Sequence, residues 1–239
     1  MNIDSIIREH EDSIISLSEK IYGFAELGSS EYKSSALVIE GLKKEGFTVT
    51  NPYMGMDTAF RAEYGDGTPV AGLLMEYDAL PNGHSCGHNL ISAWAYGTAI
   101  TVKNMVTSGK VIVFGTPSEE GIGPYAGSKA RMATAGAFRD IDFVIGMHPD
   151  DIWAVGSKAL ADMRLCPHEC PLGRASYSMS KPTTGVPTPY SALKAANPQR
   201  ARGELLITIS VASRTIVKIM ENKHIMNSIK SEFDKHGKS

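Results

Sequence analysis

The sequence predicts an α/β fold, a largely parallel central sheet flanked by helices, and three observations predict it. Short apolar runs at residues 70–75, 111–114 and 143–147 have the length and composition of buried strands. Helical patterns separate these runs, and strand–helix–strand alternation implies a mainly parallel sheet covered on its faces. Each run also ends in polar, chemistry-bearing residues, as expected where sites form outside the carboxyl ends of parallel strands.

Taken in order, Ile3, Ile6, Ile7, Ile14, Ile15, Leu17 and Ile21 recur at helical spacing and predict an amphipathic first helix, broken at residues 26–30. A second helix is expected over residues 30–45, stopped by Gly46, and a strand over residues 47–50. Gly65-Asp66-Gly67 predicts a hairpin turn joining strands at 59–64 and 69–76. Asn89 is the expected N-cap of an apolar helix from Leu90 to about Met105. Strand 111–114, a helix containing Lys129, Met132 and Ala133, and strand 143–147 follow. Beyond them, Pro167 and Pro171 favour an irregular loop around Cys166 and Cys170 rather than a zinc knuckle, and residues 179–203 read as loop. Residues 205–211 read as a strand, and Ile216 to Phe233 as a closing amphipathic helix.

With 239 residues, 42% of them hydrophobic, and a formal net charge of -2, the chain gives no reason to expect nucleic acid or an anionic membrane as partner. Its first ten residues are too charged for a signal peptide, and no apolar run approaches the roughly 20 residues needed to span a bilayer. Three cysteines do not suggest a disulfide framework, so the reducing cytoplasm is the expected compartment.

Residues 76–88 concentrate the chemistry. Glu76, Asp78, His84, Cys86 and His88 fall within one short stretch. His84, Cys86 and His88 recur with period two, so in extended backbone all three would point the same way. Imidazole and thiolate suit a borderline-soft divalent metal such as zinc. Singly, a Cys-x-His is more often a buried thiol beside an ordinary histidine, Glu119-Glu120 a solvated pair, and His148-Pro149 a turn. Delivered together to one sheet edge, they point to a metal-dependent catalytic site. Two divalent ions shared by Cys86, His88, Glu120 and His148 would acidify a water and polarise a carbonyl, which is the chemistry of hydrolysis. Zinc is expected, although the same donors accept manganese or cobalt. Glu119 is the expected general base, because consecutive residues in an extended loop face opposite ways and only one of the pair would be a ligand. Asp78 is expected to accept a hydrogen bond from a ligand imidazole and set its tautomer.

These residues also carry a resemblance. KIYGFAELG at 20–28, EYDALP at 76–81, HSCGHN at 84–89, GTPSEE at 115–120 and GAF at 136–138 stand in order and at family-like separations. Over roughly residues 15–165 the chain resembles the aminoacylase/carboxypeptidase-type metallopeptidases, in particular the p-aminobenzoyl-glutamate and indole-acetyl-amino-acid hydrolases. The resemblance implies a zinc-exopeptidase-like catalytic domain over residues 1–163 and a partial α+β lid or dimerisation domain over residues 164–239. It implies a two-metal amidohydrolase acting on N-acyl amino acids or small dipeptide-like substrates, as a possible homodimer. It puts Cys86, His88, Glu120 and His148 at ligand positions and Glu119 at that of the general base. Two departures stand out. The family's catalytic second half, with a further histidine ligand, does not return after the lid. Tyr177, matched to substrate binding, stands where a histidine is usual, and a phenol donates one hydrogen bond but carries no positive charge. A truncated, non-catalytic relative acting as a binding or hetero-oligomerising subunit is the alternative reading.

Overall fold

A computed structural model describes residues 2–149, 156–157, 176–179 and 198–236. Helix α1 (Ile3–Phe24) opens on a capping box, in which Ser5 N donates to Asn2 Oδ1 at 2.8 Å and Asn2 N to Ser5 Oγ at 3.1 Å. Its isoleucine stripe is buried. Then come α2 (Tyr32–Lys44), β1 (Thr48–Thr50), β2 (Phe60–Asp66), β3 (Val70–Met75), α3 (His88–Lys103), β4 (Gly109–Gly115), α4 (Ser128–Thr134) and β5 (Phe143–Met147). The short strands β6 (Gly156–Ser157) and β7 (Ser176–Met179) precede two long helices, α5 (Pro198–Glu221) and α6 (Lys223–His236). No described helix is long and apolar enough to cross a membrane.

The strands form one mixed sheet in the order β1-β2-β4-β3-β5-β7-β6. Its centre, β4-β3-β5-β7, is parallel throughout, and the pairs β1-β2, β2-β4 and β6-β7 are antiparallel. The expected parallel sheet is therefore its central part. Alternating side chains bury both faces: on β4, Val111 and Val113 join the cluster under α1, α2, α3 and α5, whereas Ile112 and Phe114 join Met132, Phe138 and Ile141 on the other side.

Four expectations need correction. The hairpin between the strands flanking Gly65-Asp66-Gly67 does not form, because β4 lies between β2 and β3. The glycine turn instead continues the β2–β4 ladder to Asp66 opposite Gly109. At Gly65 a Cβ would sit 2.3 Å from the Gly109 carbonyl oxygen, so only glycine fits. Helix α3 starts before Asn89, with Gly87 as its left-handed N-cap, and Asn89 Nδ2 donates to Ser18 Oγ at 3.0 Å. Residues 205–211 are not a strand but part of α5, which also absorbs the end of the expected loop from Pro198. The β-branched run LLITISV has strand propensity, but Leu205, Ile209, Ala212, Ile216 and Met220 recur at helical spacing and are buried against α1 and α3. Tertiary packing overrides local preference there. The expected closing helix is split at Asn222, between α5 and α6. The Arg164 boundary and the Cys166–Cys170 loop lie outside the described residues.

Candidate metal centre

The site lies where β3, β4 and β5 end. Past β3, Ala79 N donates to Glu26 O at 2.7 Å, so the segment at residues 26–28 continues the sheet edge beside Asp78. Pro81, Asn82 and Gly83 then turn the chain, and Leu80 and Gly83 exchange backbone hydrogen bonds at 3.1 and 2.8 Å. Residues 84–87 turn again, with Gly87 N donating to His84 O at 3.2 Å and Gly87 left-handed, so the extended backbone that period-two convergence needs is absent. His84 is consequently directed away: its ring nitrogen Nε2 donates to Ile21 O at 3.0 Å, and its ring stacks on Tyr22. Burial pushes the His84 imidazole down to about 4, so it is held neutral.

Cys86, His88 and His148 do come together. Cys86 Sγ lies 3.4 Å from His148 Nε2, and one ligand atom from each of the three falls within a 4.8 Å cluster. His88, at the first turn of α3, donates from Nδ1 to Asp78 Oδ1 at 2.7 Å. His148, just past β5, donates from Nδ1 to Pro149 O at 2.8 Å. Each bond occupies Nδ1 and leaves Nε2 as the ring atom turned to the cluster, the arrangement a metal-binding histidine presents.

Three carboxylates close on His88 Nε2. His88 Nε2 lies 3.3 Å from Glu76 Oε2, 3.7 Å from Glu119 Oε2 and 3.7 Å from Glu120 Oε1. Asp78 uses its second oxygen to accept the Glu120 N–H at 2.9 Å. Glu119 and Glu120 therefore do not face opposite ways. Ser118, with φ of 56°, and the Gly121 N–H to Ser118 O bond curl this loop, so both side chains reach His88. Lys129 of α4 answers part of the charge, with Nζ 2.5 Å from Glu76 Oε1 and 3.2 Å from Glu119 Oε1.

The electrostatics are those of a cation site. Burial would lower the His88 pKa, but the Asp78 hydrogen bond and the nearby Glu76 charge outweigh it and hold it well above its ordinary value. Burial would raise the Glu76 carboxyl, but the Lys129 and His88 charges outweigh it and hold it low. Burial raises the Cys86 thiol. His88 Nε2, Glu76 Oε2 and Glu120 Oε1 are buried with no hydrogen-bond partner in the structure. Leaving such atoms unmatched costs about 1–3 kcal/mol each, and a divalent ion among them would satisfy all three while displacing protons. Thiolate, imidazole and carboxylate are moreover a donor set suited to zinc. The residues fit a metal.

Tyr177 lies in β7, paired with Ile145 of β5, but its side chain is outside the described residues. Three residues that matter here escape a reading of the sequence: Lys129 as a counter-ion, and Glu31 and Ser118, which shape the acidic loop. An isolated lysine in a helix and an acid at a helix start carry no signal before tertiary contacts are known.

Comparison with known proteins finds relatives by sequence and by fold. No family model matches the chain. It is 32% identical over 170 residues to a p-aminobenzoyl-glutamate hydrolase subunit of Escherichia coli, covering 62% of this chain and 34% of that protein. It is 32% identical over 215 residues to human Xaa-Arg dipeptidase, covering 80% of this chain and 47% of the relative. The chain thus spans less than half the length of either. Among solved structures, a dinuclear metal-binding peptidase of the M20 family from Bacillus subtilis superposes with a TM-score of 0.54 at 20% identity, over 63% of this chain and 46% of that one, and shares its fold. The resemblance to aminoacylase/carboxypeptidase-type metallopeptidases read from the motifs is borne out by these relatives.

Proposed function

We propose that this chain is a two-metal amidohydrolase that cleaves the amide bond of N-acyl amino acids or small dipeptide-like substrates. The observation that carries the proposal is the convergence of His88 and His148 on Cys86, beside the buried, unmatched oxygens Glu76 Oε2 and Glu120 Oε1. Cys86, His88, Glu120 and His148 would hold the ions, with zinc the first choice. When bound, the ions would acidify a water and polarise the scissile carbonyl. Glu119 then takes the proton of the attacking water and hands it to the leaving nitrogen. Lys129 orients Glu119 from 3.2 Å, and Asp78 keeps the His88 proton on Nδ1. Tyr177 is assigned the substrate contact from its match to the family's lid turn. The assignment of a homodimer rests on the same resemblance. A thiol ligand needs Cys86 reduced, which suits the cytoplasm. A second reading, a non-catalytic subunit that binds substrate or pairs with another chain, is favoured by one relative being named as a hydrolase subunit.

Elemental mass spectrometry on protein purified without chelators tests the proposal, followed by an N-acyl amino acid screen. About two metal equivalents per chain and a released amino acid support it. A metal-free chain, or a metal-loaded one that cleaves no amide, overturns it in favour of the second reading.

A further inference from the structure

The loop carrying Glu119 and Glu120 is held by a residue remote from it in sequence. Glu31, at the start of α2, is fully buried. One of its carboxylate oxygens accepts the Ser118 N–H at 2.7 Å, and the other accepts the Thr58 hydroxyl at 3.1 Å. Ser118 is left-handed, with φ of 56°, a conformation disfavoured for any residue with a Cβ. Its hydroxyl lies 2.7 Å from that of Ser29, which is also left-handed, with φ of 67°. Gly28 leaves room for this arrangement: a Cβ there would lie 2.7 Å from Ile122 O and 3.1 Å from Ser118 Cα. Two residues on, the Glu120 N–H is taken by Asp78. The amides at 118 and 120, on either side of Glu119, are therefore each pinned by a buried carboxylate from a different element. Pinning two peptide planes fixes the directions in which the side chains between and beyond them leave the backbone.

We propose that Glu31 is a positioning residue for the Glu119–Glu120 pair, its carboxylate holding Ser118 in the turn that aims both acids at His88 Nε2. The catalytic consequence rests on the hydrolase reading above, whereas the geometric role does not. A shift of about 1 Å at a catalytic group is enough to cost about 100-fold in rate.

The test compares Glu31→Leu, Glu31→Gln and Thr58→Val in the whole chain, by amide hydrogen exchange of residues 116–122 and by kcat and KM. In Glu31→Leu, exchange in that segment is expected to rise about tenfold or more as the anchored amide is released. The kcat should fall about 100-fold with KM within about threefold of wild type. Glu31→Gln keeps an acceptor for the Ser118 N–H and should recover most of the kcat. Thr58→Val removes only the hydroxyl contact of the same carboxylate and should leave both readouts near wild type. Exchange in Glu31→Leu no faster than in Thr58→Val overturns the proposal, as does a kcat loss that Glu31→Gln fails to recover. Should the wild type cleave no amide while Glu31→Leu still loosens residues 116–122, the hydrolase reading falls and the positioning role stands. If Glu31→Leu does not fold, Glu31→Asp replaces it. One methylene shorter, it withdraws the charge from the Ser118 amide, and the same outcomes decide.

Discussion

Helix α3 serves two regions of opposite chemistry. At its middle, Gly97 lets α1 and α5 approach so closely that a Cβ there would lie 2.9 Å from Ile14 Cδ1 and 2.7 Å from Ile209 Cδ1. The side chains it meets from both helices belong to the larger apolar cluster. At its first turn, His88 is just as deeply buried, but among carboxylates and with Nε2 unmatched. One region stabilises the fold and the other draws on that stability. A fully buried isoleucine contributes about 1.5–3 kcal/mol, while each unmatched buried polar atom costs about 1–3 kcal/mol. The helical layer offsets the destabilising site, the usual relation between a scaffold and a functional centre.

Changes in either region should separate the two. Glu119→Gln is the sharpest: amide hydrolysis is expected to fall about 10²–10⁴-fold, the ordinary contribution of a general base, with metal content retained. Because it removes one of several crowded negative charges, melting of the metal-free protein should not drop, and a clear drop would count against the comparison. Metal addition comes next. Zinc at about 1,000 times its dissociation constant should stabilise the chain by about 4 kcal/mol, read as a rise in melting temperature that a chelator reverses. The mirror image is Ile209→Ala, which empties a fully buried position between α5 and α3. A loss of about 2–5 kcal/mol in denaturant unfolding is expected, with kcat per folded molecule unchanged. A kcat that tracks the stability loss would mean the regions are not separable.

The smallest effect concerns a charge that is already matched. Asp140 pairs with Arg61 at 2.5 Å on the flank of the sheet. Burial would raise its carboxyl, but the Arg61 hydrogen bond and charge outweigh it and hold it below the ordinary 3.8. A carboxylate with a depressed folded pKa stabilises above its unfolded value and loses that contribution as pH falls through and below it. Asp140→Asn should therefore lower stability near neutral pH by no more than about 0.5 kcal/mol after solvent screening, and the difference from wild type should shrink as pH falls below the ordinary carboxylate range.

Much of this is legible in the sequence. The strands of residues 70–75, 111–114 and 143–147, and the arrival of Cys86, His88, Glu119, Glu120 and His148 at their carboxyl ends, follow from hydrophobic period and topology. So does the Asp78–His88 hydrogen bond, from the need of a ligand imidazole for a tautomer-setting partner. His84 misleads because its spacing suits extended backbone, whereas the Gly87 N–H to His84 O turn bends residues 84–87. Residues 205–211 mislead because β-branched side chains prefer strands locally, whereas α1 and α3 offer that segment a helical groove.

Local period and composition, which each chain segment carries alone, set the alternation of strands and helices, the edge of the sheet at which chemistry collects, and the donor types collected there. Long-range packing set the rest: β4 enters between β2 and β3, Lys129 answers Glu76 and Glu119, and Glu31 holds Ser118 from 87 positions away in the chain. Those outcomes depend on which distant groups share a buried space, and a buried charge or amide selects its partner by proximity in three dimensions, not in sequence.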